Sequence, residues 1–202
     1  MKRNVLCIVG PHGSGKSTLA KKLFGATPTL CEAECVVGGV PEKLNYVLSS
    51  DKQLAIVGKY PIDGTIYERG GGCDGVGNMA KVEATVNFCC SLVPWVLYEG
   101  IMLRSMRSMQ RLELLYGVWP TIVHLNFDLD FCLESVMHRR KVAGNFKPLD
   151  PKNVFDSVWA NKSFAKRAKV AGYDIHQFTD RDEVLTFVQG KIYDTAEHSG
   201  LL

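Results

Sequence analysis

Short apolar runs alternate along this chain with segments whose apolar residues recur at helical spacing. Val5-Leu6-Cys7-Ile8-Val9 opens the pattern as an unbroken apolar run, which reads as a strand at 4–9 buried on both faces. Thr18 to Phe24 then carries apolar residues three and four apart, which predicts a helix at 16–24. A less regular stretch follows, with a short helix predicted at 41–49. Strands are predicted at 53–58, 96–100, 121–127 and 174–178. Helices are predicted at 77–92, 103–116, 129–142, 151–171 and 181–193. Strands and helices alternating at these lengths specify an α/β protein: a five-stranded parallel sheet flanked by helices on both faces. One domain is expected over 1–194, with a frayed tail at 195–202.

Composition narrows the class. The 202 residues are enough for one full core. A hydrophobic share of 46% and a charged share of 22% are those of an ordinary globular protein. No apolar run approaches membrane-spanning length, so no membrane partner is expected. Met1-Lys2-Arg3-Asn4 leads straight into the first strand, which leaves no expected room for a signal peptide. Seven cysteines, an odd number, suit reduced thiols in a cytoplasmic protein. Cys31-x-x-x-Cys35 with Cys73 lacks the second close pair or spaced histidine that a zinc site needs. The net charge of +3 is mild, but its distribution is uneven. Between His138 and Arg181 ten Lys/Arg stand against four Asp, a local surplus of +6. Such a run is a solvated helix face, a clamp for phosphates or a contact for a polynucleotide backbone.

Chemistry enters with Gly10-Pro11-His12-Gly13-Ser14-Gly15-Lys16-Ser17, which spells G-x-x-x-x-G-K-S. A glycine-rich turn alone would satisfy the spelling. The strand before it and the helix after it are what a phosphate-binding loop requires, because they aim backbone N–H groups at a polyphosphate. Gly10, His12, Gly13, Ser14, Gly15, Lys16, Ser17 and Thr18 are therefore expected to hold a nucleotide. Lys16 would reach its outer phosphates, and the Ser17 hydroxyl would hold Mg²⁺. The architecture expected is the P-loop NTPase fold.

In such folds ligands bind at the carboxyl ends of the strands. The long loop 59–76 holds Gly70-Gly71-Gly72-Cys73-Asp74-Gly75, where backbone can approach a ligand and a carboxylate is on offer. Asp74 is the first candidate general base and Asp63 the second, since transfer to a hydroxyl needs a carboxylate beside the attacking oxygen. Tyr60 and Arg69 in the same loop, with Arg104, are candidates for substrate contact. Glu99 closes an apolar strand and is a candidate for Mg²⁺ or its water. Arg104, Arg107 and Arg111 fall on one helix face; only Arg104 is close enough to the strand end to meet a substrate phosphate. Arg139 and Arg140 end a predicted helix. A helical lid over 138–152 would bring one of them onto the transferring phosphate, though basic residues also suit a helix C-terminus.

Other phosphate-loop classes fit poorly. Asn161-Lys162-Ser163-Phe164 lacks the Asp of a guanine-reading motif and falls within a predicted helix. A single Glu99 and a short chain do not suit a motor ATPase.

Five segments together resemble the bacteriophage 5-hydroxymethyluracil DNA kinases: the loop Gly10–Ser17, Val57-Gly58-Lys59-Tyr60, Gly71-Gly72-Cys73-Asp74, Tyr98-Glu99-Gly100 and Arg139-Arg140-x-x-x-Gly144-Asn145. The resemblance covers most of the chain. It implies an ATP- and Mg²⁺-dependent transfer of the γ-phosphoryl group to the hydroxymethyl group of a modified pyrimidine in DNA. It implies Asp74 as the substrate-loop acid, Arg139 and Arg140 as lid residues, and a flipped base held by Tyr60 or Tyr67. It also implies the cytoplasm of the host cell as the setting. A deoxynucleoside monophosphate kinase and a non-kinase nucleotide-binding switch or assembly factor remain the rivals at this point.

Overall fold

The structure is a computed structural model that describes residues 3–60, 71–145 and 148–198, with side chains described as far as 193. Among the described residues, seven strands and six α-helices follow in the order β1 (Asn4–Val9), α1 (Lys16–Lys22), β2 (Thr29–Val37), β3 (Val40–Leu48), β4 (Leu54–Val57), α2 (Met79–Cys89), β5 (Trp95–Glu99), α3 (Met106–Tyr116), β6 (Thr121–Leu125), α4 (Leu129–Val142), α5 (Pro151–Val170), β7 (Ile175–Phe178) and α6 (Arg181–His198). A 3₁₀ turn covers Cys73–Gly75.

The strands form one mixed sheet in the order β2-β3-β4-β5-β1-β6-β7. From β4 to β7 the neighbours pair parallel, while β2–β3 and β3–β4 pair antiparallel. The sheet is thus not five-stranded. The five expected parallel strands are present, extended at one edge by a hairpin. The short helix expected at 41–49 is instead β3. Val37 opposes Val40 across Gly38-Gly39, both at positive φ, a two-residue turn only glycine makes easily. Once that turn closes, Leu44 and Tyr46 meet the sheet's neighbours and are buried.

The strand β1 lies in the middle and feeds both cores. Leu6 and Ile8 face one, packed with α1, α6 and the first half of α5. Val5, Cys7 and Val9 face the other, with α2, α3 and the second half of α5. This two-sided burial is why the run reads as continuously apolar. Two caps fix where the site-bearing helices begin. The Asp128 carboxylate accepts the Phe131 N–H at the start of α4. The Asp150 carboxylate accepts the Lys152 N–H ahead of α5, with Pro151 in its first turn.

The helix α6, expected over 181–193, continues to His198 and so enters the tail expected from 195. The described part of 138–152 is the last turn of α4, a connection, and the first residues of α5.

Candidate active site

The parallel register pairs Ile8 with Glu99 and Val9 with His124, so β1, β5 and β6 end at one level. The loop Gly10–Ser17 leaves β1 there. It is braced from inside and outside. The Ser14 hydroxyl donates to the Pro11 carbonyl at 2.9 Å. The His12 N–H donates to Ser157 Oγ on α5 at 3.0 Å. Arg181, at the start of α6, donates to the carbonyls of Gly13 (2.9 Å) and Ser14 (3.2 Å). Gly15 has φ +90°, and a Cβ there would stand 2.7 Å from Arg181 Nε. Only glycine permits both the backbone and the guanidinium.

Lys16 opens α1 and is buried. Its ammonium donates to the carbonyls of Gly10 and Pro11, both at 3.0 Å. Burial lowers its pKa; the negative charges of Glu99 and Asp74 push the other way. The cation is therefore incompletely solvated and held by neutral acceptors, a state in which an incoming phosphate is a better partner. Ser17 follows it, half-buried, and Thr18 is exposed in the same first turn.

Glu99 is buried at the end of β5. The Tyr60 hydroxyl donates to its Oε1 at 3.0 Å. The Ser17 hydroxyl is also hydrogen-bonded to the carboxylate. Burial raises the Glu99 pKa, with Lys16, Ser17 and Tyr60 opposing. Gly72 makes the approach possible. It has φ +77°, and a Cβ there would collide with Glu99 Oε1. Reciprocal backbone hydrogen bonds of 3.2 and 2.9 Å between Lys59 and Gly72 join the two flanks of this loop. Tyr60 itself is only 4% exposed and packs edge-on to Phe24. Its ring is closed off from solvent and its hydroxyl supports the Glu99 carboxylate. Asp63, Tyr67 and Arg69 lie outside the described residues.

Asp74 sits exposed on the 3₁₀ turn. Its carboxylate accepts the Ile101 N–H at 2.9 Å and the Met102 N–H at 3.0 Å, in the turn that follows β5. Arg104 belongs to that turn, ahead of α3. It donates to the Ile101 carbonyl at 2.9 Å and to the Ser157 carbonyl and hydroxyl at 2.7 and 3.1 Å. Ser157 therefore joins the phosphate-loop candidate to the Arg104 turn. Arg111, on the same expected stripe, instead meets the buried Glu83 at 3.0 Å.

The ring of His12 has its pKa lowered, first by burial and then by the charges of Lys16, Arg104 and Arg139. Arg139 thus stands within electrostatic reach of the loop. Arg140 gives its carbonyl to the Asn145 N–H at the end of α4. Among the described residues, no three His, Cys, Asp or Glu cluster as a metal site. The pair Ser17 and Glu99 supplies only hard oxygen donors, the set Mg²⁺ uses when phosphates complete its shell.

Two residues here escaped sequence reasoning. Arg181 follows directly on the β7 carboxyl end, and the rule that strand ends face ligands would have pointed to it. Ser157 lies mid-helix with no local signal at all.

No family model matches the chain. A protein of Pseudomonas phage PaMx11 described as a 5-hmdU DNA kinase is 32% identical over 189 residues, spanning 90% of this chain and 93% of its own length. A similarity of that extent is one of whole chains, not of the glycine-rich loop alone. The chain accordingly belongs to the 5-hmdU DNA kinase family, a family of phosphotransferases.

Proposed function

We propose that this protein is an ATP-dependent kinase of the P-loop NTPase fold that phosphorylates the hydroxymethyl oxygen of 5-hydroxymethyluracil within DNA. The observation that carries the mechanism is the meeting of three parts at one sheet edge: the loop Gly10–Ser17, Glu99 behind it, and Asp74 pinned to the Ile101 and Met102 amides. The similarity to the phage kinase carries the acceptor.

The loop amides and Lys16 bind the ATP phosphates, and Lys16 exchanges its carbonyl partners for phosphate oxygens. Ser17 and Glu99 would hold Mg²⁺, which neutralises phosphate charge when bound. Asp74 orients the acceptor hydroxyl and takes its proton. The acceptor oxygen bonds to the γ-phosphorus as the bond to the β–γ bridging oxygen breaks, and ADP leaves with that electron pair. Arg139 and Arg104 bring positive charge to the same edge, where negative charge gathers on the transferring group. No described helix is long and apolar enough to cross a membrane. A phage DNA substrate sets the reaction in the cytoplasm of the host cell.

The test is an acceptor screen with [γ-³²P]ATP against 5-hydroxymethyluracil DNA, unmodified DNA and free deoxynucleoside monophosphates. Label in the modified polymer alone is expected. Label in the monophosphates alone gives the function to the nucleotide-kinase rival. ATP hydrolysis with no labelled acceptor gives it to the switch or assembly-factor rival.

A further inference from the structure

The helix α5 presents an outer face that its role in the core does not explain. Phe155 and Trp159, one turn apart, are 54% and 68% exposed. Ser163 and Arg167 continue the same i, i+4 row. Lys162 and Lys166 are exposed beside it. A groove of about 460 Å³ lies against this row, between α5 and the turn that precedes α3. Trp159, Ser163 and Arg167 line one wall; Ile101, Met102 and Arg104 line the other. Among the described residues, no carboxylate lines it.

The groove's position matters as much as its chemistry. The Ile101 and Met102 amides are the ones that hold the Asp74 carboxylate. The groove therefore begins where the acceptor hydroxyl is proposed to react and runs outward along a basic, aromatic face. A free mononucleotide has no use for such a track beyond the reaction centre. A polynucleotide does: its bases offer π-faces to an exposed indole, and its phosphates offer charge to arginine and lysine.

We infer that this groove is the track for the DNA strand, with an unpaired nucleotide next to the modified one stacked on Trp159 and a neighbouring phosphate held by Arg167. The inference rests on the DNA-kinase function proposed above and adds where the polymer lies. A strand laid this way delivers the modified base to Asp74 and leaves its neighbours outside the reaction centre. The stacking is indifferent to base identity, so sequence selectivity comes from the reacting base alone.

The experiment is fluorescence anisotropy of a labelled single-stranded oligonucleotide carrying one 5-hydroxymethyluracil, with KM measured on the same oligonucleotide. Trp159→Ala is expected to weaken binding and raise that KM by about tenfold or more, the scale of one lost base stack. Trp159→Phe keeps an aromatic face and is expected to stay within about threefold of wild type. Arg167→Glu is expected to weaken binding and to flatten the salt dependence by about one unit of slope or more. Arg167 is an exposed helix residue, so this variant decides the matter if Trp159→Ala does not fold. Wild-type affinity and KM in Trp159→Ala, or in Arg167→Glu where the former fails to fold, overturn the inference; such a result would mark the face as a contact for protein. The two proposals fail separately. A wild-type enzyme that binds the oligonucleotide through Trp159 but transfers no phosphate to it removes the proposed acceptor and leaves the groove. An enzyme that phosphorylates it with Trp159→Ala unchanged removes the groove and leaves the acceptor.

Discussion

Arg181 donates through Nη2 to the carbonyl of Gly13 at 2.9 Å, joining residues 168 positions apart. The same guanidinium reaches Ser14 and Ser135 and lies over the Phe131 ring, its Cζ 4.7 Å from the centroid. A carbonyl held by an arginine cannot turn toward the proposed phosphate site, where it would repel the anion. Hydrogen bonds from charged donors contribute about 1.5–3 kcal/mol each when made in a partly buried site. Arg181→Ala is therefore expected to raise the KM for ATP by about ten- to a hundredfold, with a smaller change in kcat. Steady-state kinetics at saturating acceptor checks it; an unchanged KM would show that the loop keeps its shape without the brace.

Lys16 and Asp74 separate by kinetics. Lys16→Ala removes the cation from the phosphate site, and a loss of about 10²–10³-fold or more in kcat/KM is expected. Asp74→Asn keeps one carbonyl oxygen for the Ile101 and Met102 amides but cannot take a proton. A fall of about 10²–10⁴-fold in kcat is expected, with ATP affinity little changed. Normal turnover in Asp74→Asn would take the general-base role from this residue.

Gly72 is where the loop after β4 touches Glu99. Its backbone, at φ +77° and ψ −159°, belongs to a region essentially restricted to glycine. Gly72→Ala adds backbone strain of about 1–3 kcal/mol and a Cβ directed at the Glu99 carboxylate. The expected outcome is a lower melting temperature together with a higher Mg²⁺ requirement for activity. A variant that loses stability but keeps the wild-type Mg²⁺ dependence would separate Gly72 from the Glu99 site.

His124 gives a pH dependence that belongs to folding. It is buried in β6, and its Nε2 lies 2.7 Å from Asn161 Nδ2, which also donates to the Leu125 carbonyl. Asn161 is thus the donor and the ring nitrogen the acceptor, which requires the neutral imidazole. Burial pushes the His124 pKa down to about 4. With the folded value below the unfolded one, its contribution is present above about pH 6.5 and is lost as the pH falls toward 4. The loss amounts to at most about 3 kcal/mol, since each tenfold change in proton affinity corresponds to about 1.36 kcal/mol. Urea unfolding of wild type and His124→Gln between pH 7 and pH 4 reads it: the variant is expected to lose less stability across that window. Parallel curves would place the acid sensitivity in other groups.

Much of this molecule is legible one segment at a time. The unbroken run Val5–Val9 is a central strand, and helix 129–142 matches α4, because apolar period reports burial and burial follows local geometry. The spelling G-x-x-x-x-G-K-S is legible for the same reason: its eight residues are contiguous. The β2–β3 hairpin was equally local, marked by Gly38-Gly39 between alternating residues, but the chain from 41 to 49 also suits a helix, and pairing with β2 and β4 decides against it.

What tertiary structure alone decided is every contact made across the sheet. Tyr60 has the sequence of a substrate residue and the place of a buried support, because the loop end closes onto Gly72. Ser157 and Arg181 look like ordinary helix residues and become braces of the loop through partners more than 140 positions away. Trp159 and Arg104 are distant in the chain and line one groove. The physical reason is the same in each case. Period and motif act within a few residues, whereas which strand ends lie side by side depends on the crossovers, and the site is assembled from those ends.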